Sequence, residues 1–506
     1  MKAKILVAAA LVALGACSNS GASGDGGNGI AAVRPSQVTP EALQAAVSDP
    51  RLREFYEARG WQPVWNAGTS EALVAAIGDA PRHGLDRRLF LADVERDAAP
   101  AAREAALSLA AFSYAEALAR GRADPARLRD IYELPRPEVD VAAGLNAALE
   151  GNDLGDWFAG LAPQDEEYRA LSEAYVAASR QAAQAQPVPA GAALRPGGAD
   201  PRLPQIAAAL AANGYVTLPQ GQPAPARYGD DLAAAVRRLQ EDYGLEANGV
   251  IGEATLAAIN EGPRDRARAL AVNLERRRWL AREAAPTRID VNTAAATLAY
   301  WREGNVVDRR PVVVGQPGDE TPQMASPIYR LVANPTWTVP QSIEEEEIAP
   351  KGAGYMARNN MSWRDGRIVQ ESGPTNSLGL VKFDMRNDHA IYLHDTPAKA
   401  LFAEAERHRS HGCVRVNDAL GFARMIAEQE GVLDEWERAR ATNEESFVAL
   451  PREIPVRLMY QTAFLDGGRI RYRLDAYGWD DNVAEALGLQ ARPRNATRSH
   501  YRDVGP

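Results

Sequence analysis

The chain has 506 residues, enough for about three domains at roughly 100–200 residues each. Charged residues are 25% and hydrophobic ones 46%, an ordinary globular balance, and Lys+Arg 57 against Asp+Glu 67 gives a net charge of −10. That sign leaves no global basic field for a phosphate backbone, so nucleic acid is not an expected partner. Two cysteines, Cys17 and Cys413, exclude a disulfide framework and a zinc site built from four cysteines.

Residues 1–16 read as a signal peptide. Lys2 and Lys4 precede an apolar run at 5–14 that is too short to span a bilayer, and Gly15-Ala16 stands before Cys17. The string "LGAC" resembles the lipobox of bacterial lipoproteins, which implies cleavage before Cys17 and lipidation of its sulfur. Ser18 after the cysteine then implies an outer-membrane lipid anchor. A plain secretory signal with a chance cysteine is the alternative, and both readings export the chain to the periplasm. With Cys17 lipidated, Cys413 is a free thiol in an oxidising compartment. Residues 17–40 are Gly/Ser-rich and read as a flexible tether.

The predicted architecture is multidomain α+β. Residues 41–200 form a helical scaffold, with Leu107, Ala110, Ala111, Tyr114, Ala117 and Leu118 on one apolar stripe. It holds no catalytic constellation, and His83 reads as a turn or packing residue. Its end, 187–201, has the Pro/Gly/Ala content of a linker. Residues 201–262 predict three short helices, and "AVRRLQEDYGLEANGVIGEATLAAIN" resembles a small peptidoglycan-binding domain. A packed spacer is the other reading of that unit. A helical connector follows at 263–286. From 287 to 480 the period changes to the alternation of strands, with one helix after an Asn417 or Asp418 cap. Residues 481–506 read as a C-terminal tail.

Four of the six histidines, 389, 394, 408 and 411, lie within 25 residues of Cys413. Ala390, Tyr392 and His394 share one face of a predicted strand, so a sheet holds that imidazole still. Gly412 permits a tight backbone at Cys413 that leaves N–H groups free. A thiol of pKa about 8.5 is mostly protonated at neutral pH, and a neighbouring histidine can take its proton to give a thiolate–imidazolium pair. N–H groups around Gly412 and Cys413 can hold an oxyanion, a combination suited to acyl transfer. Zinc on His408, His411, Cys413 and a further histidine is a second reading, although His-x2-His-x-Cys is not a usual zinc spacing. A buried structural cysteine is a third, which the polar, glycine-flanked surroundings disfavour.

"YLHDT" and, fifteen intervening residues after its His394, "SHGCVRV" resemble the signature of the L,D-transpeptidases, enzymes of bacterial peptidoglycan. The strings "VVVGQPGDETPQMASPIYRLVANPTWTVPQSI", "GPTNSLGLVKF" and "DAYGWD" extend the likeness to the long, multidomain Gram-negative type. The resemblance implies a mainly-β catalytic domain at 287–480 with a lid insertion at 340–373. It implies Cys413 as nucleophile and His394 as general base, its ring steered by the Asp395 carbonyl. His411, Gly412 and Arg415 would border the oxyanion and acyl pocket, and Tyr392, Asn376, Ser377 and Gly379 would contact substrate. In the lid, 343–348 suits a short helix, and Glu344, Glu345, Glu346 and Glu347 suit a solvated acidic face, or else a site for a substrate ammonium.

The implied reaction forms 3–3 cross-links through a cysteinyl thioester, releasing D-Ala from a tetrapeptide stem, with no metal or cofactor. The implied partners are peptidoglycan stem peptides and carbapenem-type inhibitors. Alternatives are the same acyl-enzyme serving as an L,D-carboxypeptidase or hydrolase, or attaching another protein. A non-catalytic wall-binding lipoprotein working through 201–262 is a rival of another class.

Overall fold

The computed structural model describes residues 37–490 apart from 97, 182–185 and 219–225. The signal at 1–16, Cys17 with most of its tether, and 491–506 of the expected tail lie outside the described residues.

The scaffold is a helical bundle whose starts are set by short polar caps. Asp49, Asp140 and Asp165 each accept a first-turn N–H, and Asn66 forms a reciprocal capping box with Thr69. Helix Pro100–Arg120 runs through the bundle centre, and all six residues of the predicted stripe are buried in it. It stops at Gly121, whose φ of +86° and close approach to Trp279 leave no room for a Cβ.

The segment expected as a connector is instead core. Helix Pro263–Trp279 buries Leu270, Val272, Leu274 and Trp279 in the same cluster as Tyr114 and Leu118. Arg268, Glu275, Arg276 and Arg278 are buried as well because each finds a partner: Arg278 with Glu275 at 2.6 Å, both fully buried, Arg276 with Asp480 at 2.5 Å and Arg268 with Asp481 at 2.5 Å. The C-terminal segment closes the bundle. Asn273 exchanges side-chain hydrogen bonds with Thr462, and helix Asp480–Ala486 buries Val483 and Ala484 in the scaffold core. The first ten residues of the expected tail are therefore packed structure.

Helices Leu203–Ala212, Asp230–Tyr243 and Glu253–Asn260 enclose their own small core around Ile206, Leu210, Val236, Leu239 and Ile259. This unit rests on a hairpin near the C-terminus, where Tyr472 stacks on Tyr243 at 5.6 Å and Arg471 pairs with Asp242 at 2.8 Å.

Seventeen strands are described. The scaffold contributes β1 (Tyr132–Glu133); then come β2 (Arg288–Asn292), β3 (Thr297–Arg302), β4 (Asn305–Gly315), β5 (Gln323–Ala325) and β6 (Ile328–Ala333). The lid holds β7 (Trp337–Thr338), β8 (Met361–Arg364) and β9 (Arg367–Gln370). After it come β10 (Val381–Met385), β11 (Leu393–His394), β12 (His408–Ser410), β13 (Val414–Val416), β14 (Ser446–Ile454) and β15 (Val456–Met459). The hairpin that carries the three-helix unit is β16 (Ala463–Asp466) and β17 (Arg469–Tyr472). The main sheet runs β1-β5-β15-β2-β3-β4-β13-β11-β10-β6-β14, with β12 beside β4. One face is covered by helix Ala419–Gln429, which starts on an Asp418 cap and buries Phe422, Ala423 and Ile426. No helix among the described residues is long and apolar enough to cross a membrane.

The lid is a small folded unit. Its sheet, β7-β9-β8, begins at Trp337, just before the expected start, and its core joins Trp337, Val339, Ile348, Met356 and Ile368. The predicted helix is present as three short helical turns over 341–351. The acidic face is not uniformly solvated. Glu344 is buried, its carboxylate accepting the Ile368 N–H at 2.9 Å, and Glu347 turns out of the lid toward the catalytic loop.

Candidate active site

Alternation along β10, β11 and β13 sends Val381, Phe383, Leu393, Val414 and Val416 into the core, all fully buried. The opposite face carries the chemistry. Lys382 stands across from His394 in the antiparallel pair, and His394 across from Arg415 in the parallel one. Cys413 precedes Arg415 by two residues and so belongs to the same face. The Val414 N–H donates to the Tyr392 carbonyl at 3.1 Å, which sets Tyr392 alongside the nucleophile. The Tyr392 and His394 rings meet edge to face at 5.6 Å.

Burial disfavours the charged form of both Cys413 and His394. Burial, then the charges of Arg415 and Lys382, pull His394 down to about 3, against the favourable carbonyls of Asp395 and Leu378. His394 Nδ1 is buried and makes no hydrogen bond of ordinary geometry among the described residues. Burial likewise pushes the Cys413 thiol up, opposed by the Tyr392 amide and hydroxyl and by Lys382 and Arg415. The thiol donates weakly to the Ala390 carbonyl at 3.5 Å. Burial thus works against the thiolate–imidazolium pair at both residues. The reason is desolvation, which penalises both charges at once.

The loop around the nucleophile is fixed through its carbonyls. Gly412 has a φ of +105°, in the region that suits glycine. Thr321 Oγ1 donates to the Gly412 carbonyl at 2.8 Å and Ser410 Oγ to the Cys413 carbonyl at 2.6 Å. Tyr477 braces the far side by donating to the Gly315 carbonyl at 2.6 Å, while Gly315 N–H donates to Thr321 Oγ1 at 2.9 Å. Among the described residues nothing accepts from the N–H of Gly412 or of Cys413. Two adjacent donors at the nucleophile form a candidate oxyanion hole.

The other expected site residues do different work in this geometry. Asp395 pairs with Lys399 and accepts the Leu380 N–H at 3.0 Å; a Cβ on Gly379 would strike its carboxylate. Asn376 bonds the carbonyls of Gln370 and Glu371, and Ser377 bonds the Gln370 side chain at 2.8 Å. These three side chains brace the loop ahead of β10. Arg415 is buried next to His394. The remaining histidines diverge: His408 bonds Glu406 and the Thr293 carbonyl, His389 bonds Glu133, and His411 bonds Glu347. Among the described residues no three His, Cys, Asp or Glu side chains gather as a metal site. His83 bonds Tyr168 inside the scaffold.

Lys382, Thr321, Ser410, Gln370 and Tyr477 are site residues that sequence reasoning missed. Lys382, Thr321, Ser410 and Tyr477 lie in strings that resemble the transpeptidases, but nothing in their spacing marks them.

Residues 286–433 match the family of the L,D-transpeptidase catalytic domain. The chain carries an L,D-transpeptidase domain. Residues 50–174 match a scaffold domain and 200–259 a domain described as "Putative peptidoglycan binding domain". A Haemophilus influenzae protein named "Putative L,D-transpeptidase" is 30% identical over 224 residues, 38% of this chain and 45% of that relative. The match therefore spans less than half of that relative's length. Among solved structures, an L,D-transpeptidase from Stackebrandtia nassauensis is 15% identical with a TM-score of 0.23, covering 56% of this chain and all of that one. The catalytic domain of an Enterococcus faecium L,D-transpeptidase acylated by ertapenem is 14% identical, with a TM-score of 0.21 over 35% of this chain and 99% of that one. The family match rests on the sequence and not on these two structures. Within the transpeptidase domain, Cys413, His394 and the pinned glycine loop all fall inside the matched residues.

Proposed function

We propose that the chain is a cysteine acyltransferase that forms 3–3 peptidoglycan cross-links. The observation that carries the reading is the convergence of Cys413, His394 and two unengaged N–H groups on one sheet face. His394, neutral at rest, takes the thiol proton as sulfur attacks the carbonyl between the third stem residue, a diamino acid, and the terminal D-Ala. A C–S bond forms, the oxyanion rests on the Gly412 and Cys413 N–H groups, and the C–N bond breaks as the imidazolium protonates the departing amine. The side-chain amine of a second stem then attacks the thioester, gives its proton to His394, and releases Cys413.

The test is a purified assay on tetrapeptide muropeptides read by mass spectrometry. Wild type yields D-Ala and a 3–3 dimer, and Cys413→Ala yields neither. A Cys413→Ala protein that still made the dimer would overturn the assignment. Product without dimer assigns the same acyl-enzyme to hydrolysis. The signal-like start and Cys17 support the further proposal of a lipid anchor, tested by whether Cys17→Ala moves the chain out of the membrane fraction.

A further inference from the structure

The seam between lid and catalytic loop holds one contact that the reaction scheme leaves unused. Glu347 leaves the lid and meets His411 Nε2 at 2.6 Å, with the two side chains 32% and 21% exposed. His411 stands two residues before the nucleophile. Its backbone is fixed on both sides: Gln316 N–H donates to the Ser410 carbonyl at 2.9 Å, and Thr321 holds the Gly412 carbonyl. The orientation of its ring is what the main chain leaves to be set.

The lid side is equally anchored. Glu344 is buried against the Ile368 amide, and Ile348 is 1% exposed in the lid core. With its neighbours at both ends turned inward, Glu347 has a fixed backbone and sends its carboxylate across the seam. Tyr392, beside Cys413, packs on that same lid core, so the lid touches the site at two places. Donation from Nε2–H to Glu347 also selects the tautomer, leaving Nδ1 of a neutral ring as an acceptor.

Resting on the acyl-transfer reading, we propose that Glu347 is a positioning residue. From the lid it holds the His411 imidazole beside Cys413, so the acyl pocket is complete only with the lid in place. Glu346, exposed in the same run, is the charge-matched control.

The experiment uses the full chain and two probes of Cys413. A carbapenem needs the shaped acyl pocket, whereas iodoacetamide needs only the thiolate. Glu347→Ala, His411→Asn, their double variant and Glu346→Ala are compared by intact mass. Glu347→Ala is expected to slow carbapenem acylation by roughly 10- to 100-fold and to leave alkylation within about twofold. The double variant is expected to be no slower than His411→Asn alone, as for residues acting through one another. Glu346→Ala is expected to match wild type. The inference fails if Glu347→Ala is acylated at the wild-type rate, if both probes slow together, or if the two single losses multiply. A wild type that iodoacetamide alkylates and carbapenem does not overturns the acyl-transfer reading, and this inference with it.

Discussion

Lys382 stands directly opposite His394 across the β10–β11 pair, with its ammonium 4.6 Å from the centre of the Tyr392 ring. One cation therefore acts on both groups that exchange the proton, Cys413 and His394. It disfavours imidazolium at His394 and favours thiolate at Cys413.

Replacing Lys382 by Met removes that bias. The Cys413 thiol then sits still higher, and the midpoint of its iodoacetamide alkylation against pH moves up. Wild type itself is expected to show a midpoint above the ordinary thiol value of about 8.5. At pH 7 the variant is expected to alkylate roughly 3- to 10-fold more slowly, for a shift of up to about one pH unit. A midpoint that stays put or falls refutes the role.

Tyr392→Phe deletes the hydroxyl that stabilises the thiolate while keeping the ring beside His394. A hydrogen bond to a charged group contributes about 1.5–3 kcal/mol, so acylation at pH 7 is expected to fall by at least about 10-fold. Raising the pH should recover part of the loss, because a higher thiol pKa is its cause. A pH-independent loss points to packing instead.

Gly412→Ala forces an L side chain into a φ of +105° next to Ile391. The strain is on the order of 1–3 kcal/mol, and its relief tilts the two N–H donors. We expect a loss of acylation rate of roughly 100-fold or more, with a thermal midpoint within a few degrees of wild type. Rate loss without any change in alkylation by iodoacetamide identifies the oxyanion hole as the part affected.

His83 and His394 are both held near 3 by burial, against an ordinary value near 6.5. The unfolded chain therefore binds more protons than the native one between those values, and stability falls as pH drops through about 6.5 toward 3. Each histidine contributes a slope of up to about 1.4 kcal/mol per pH unit. Asp475, held up to about 6 by burial and by Asp480, acts with the opposite sign in the same window. Comparing His83→Gln with wild type isolates one histidine: denaturant unfolding between pH 6 and 4.5 should show a shallower acid loss in the variant. Equal slopes refute the assignment.

Glu275→Ala leaves Arg278 buried without its carboxylate and frees the Ala123 and Trp279 N–H groups that Glu275 accepts. Removing one partner of a buried pair costs about 3–5 kcal/mol. Since the same helix bonds Thr462 and Asp480, the scaffold and the C-terminal segment should loosen together in hydrogen exchange. Retention of C-terminal protection in this variant argues against a shared unit.

Much of the site was legible because it is local. "LH" falls in β11, although the strand is shorter than the expected face of Ala390, Tyr392 and His394 because Ala390 turns at a φ of +55°. "SHGC" marks a glycine-permitted loop, so Cys413, His394 and Gly412 are readable from neighbours in sequence. Lys382 and Thr321 reach the site through strand register and through a loop some ninety residues from Gly412 in sequence, respectively, and no spacing announces either. Glu347 is hidden by its own run, since four glutamates read as one solvated face until backbone turns sort Glu344 inward and Glu347 across the seam. The helix at 263–279 misleads for a related reason. Its many arginines suggest water, and their burial is allowed by partners that include Asp480 and Asp481 from a distant segment.

Those distant partners impose an order on synthesis. A growing chain that has just completed β15 (Val456–Met459) has all the strands of the main sheet in its sequence. Asn273, Arg276 and Arg268 at that moment still wait for Thr462, Asp480 and Asp481. The helical bundle is translated first and closed last. A chain cut after residue 459 would thus lack both the residues that close the scaffold and Tyr477, which braces the loop of the nucleophile, so bundle and site are completed by the same last segment.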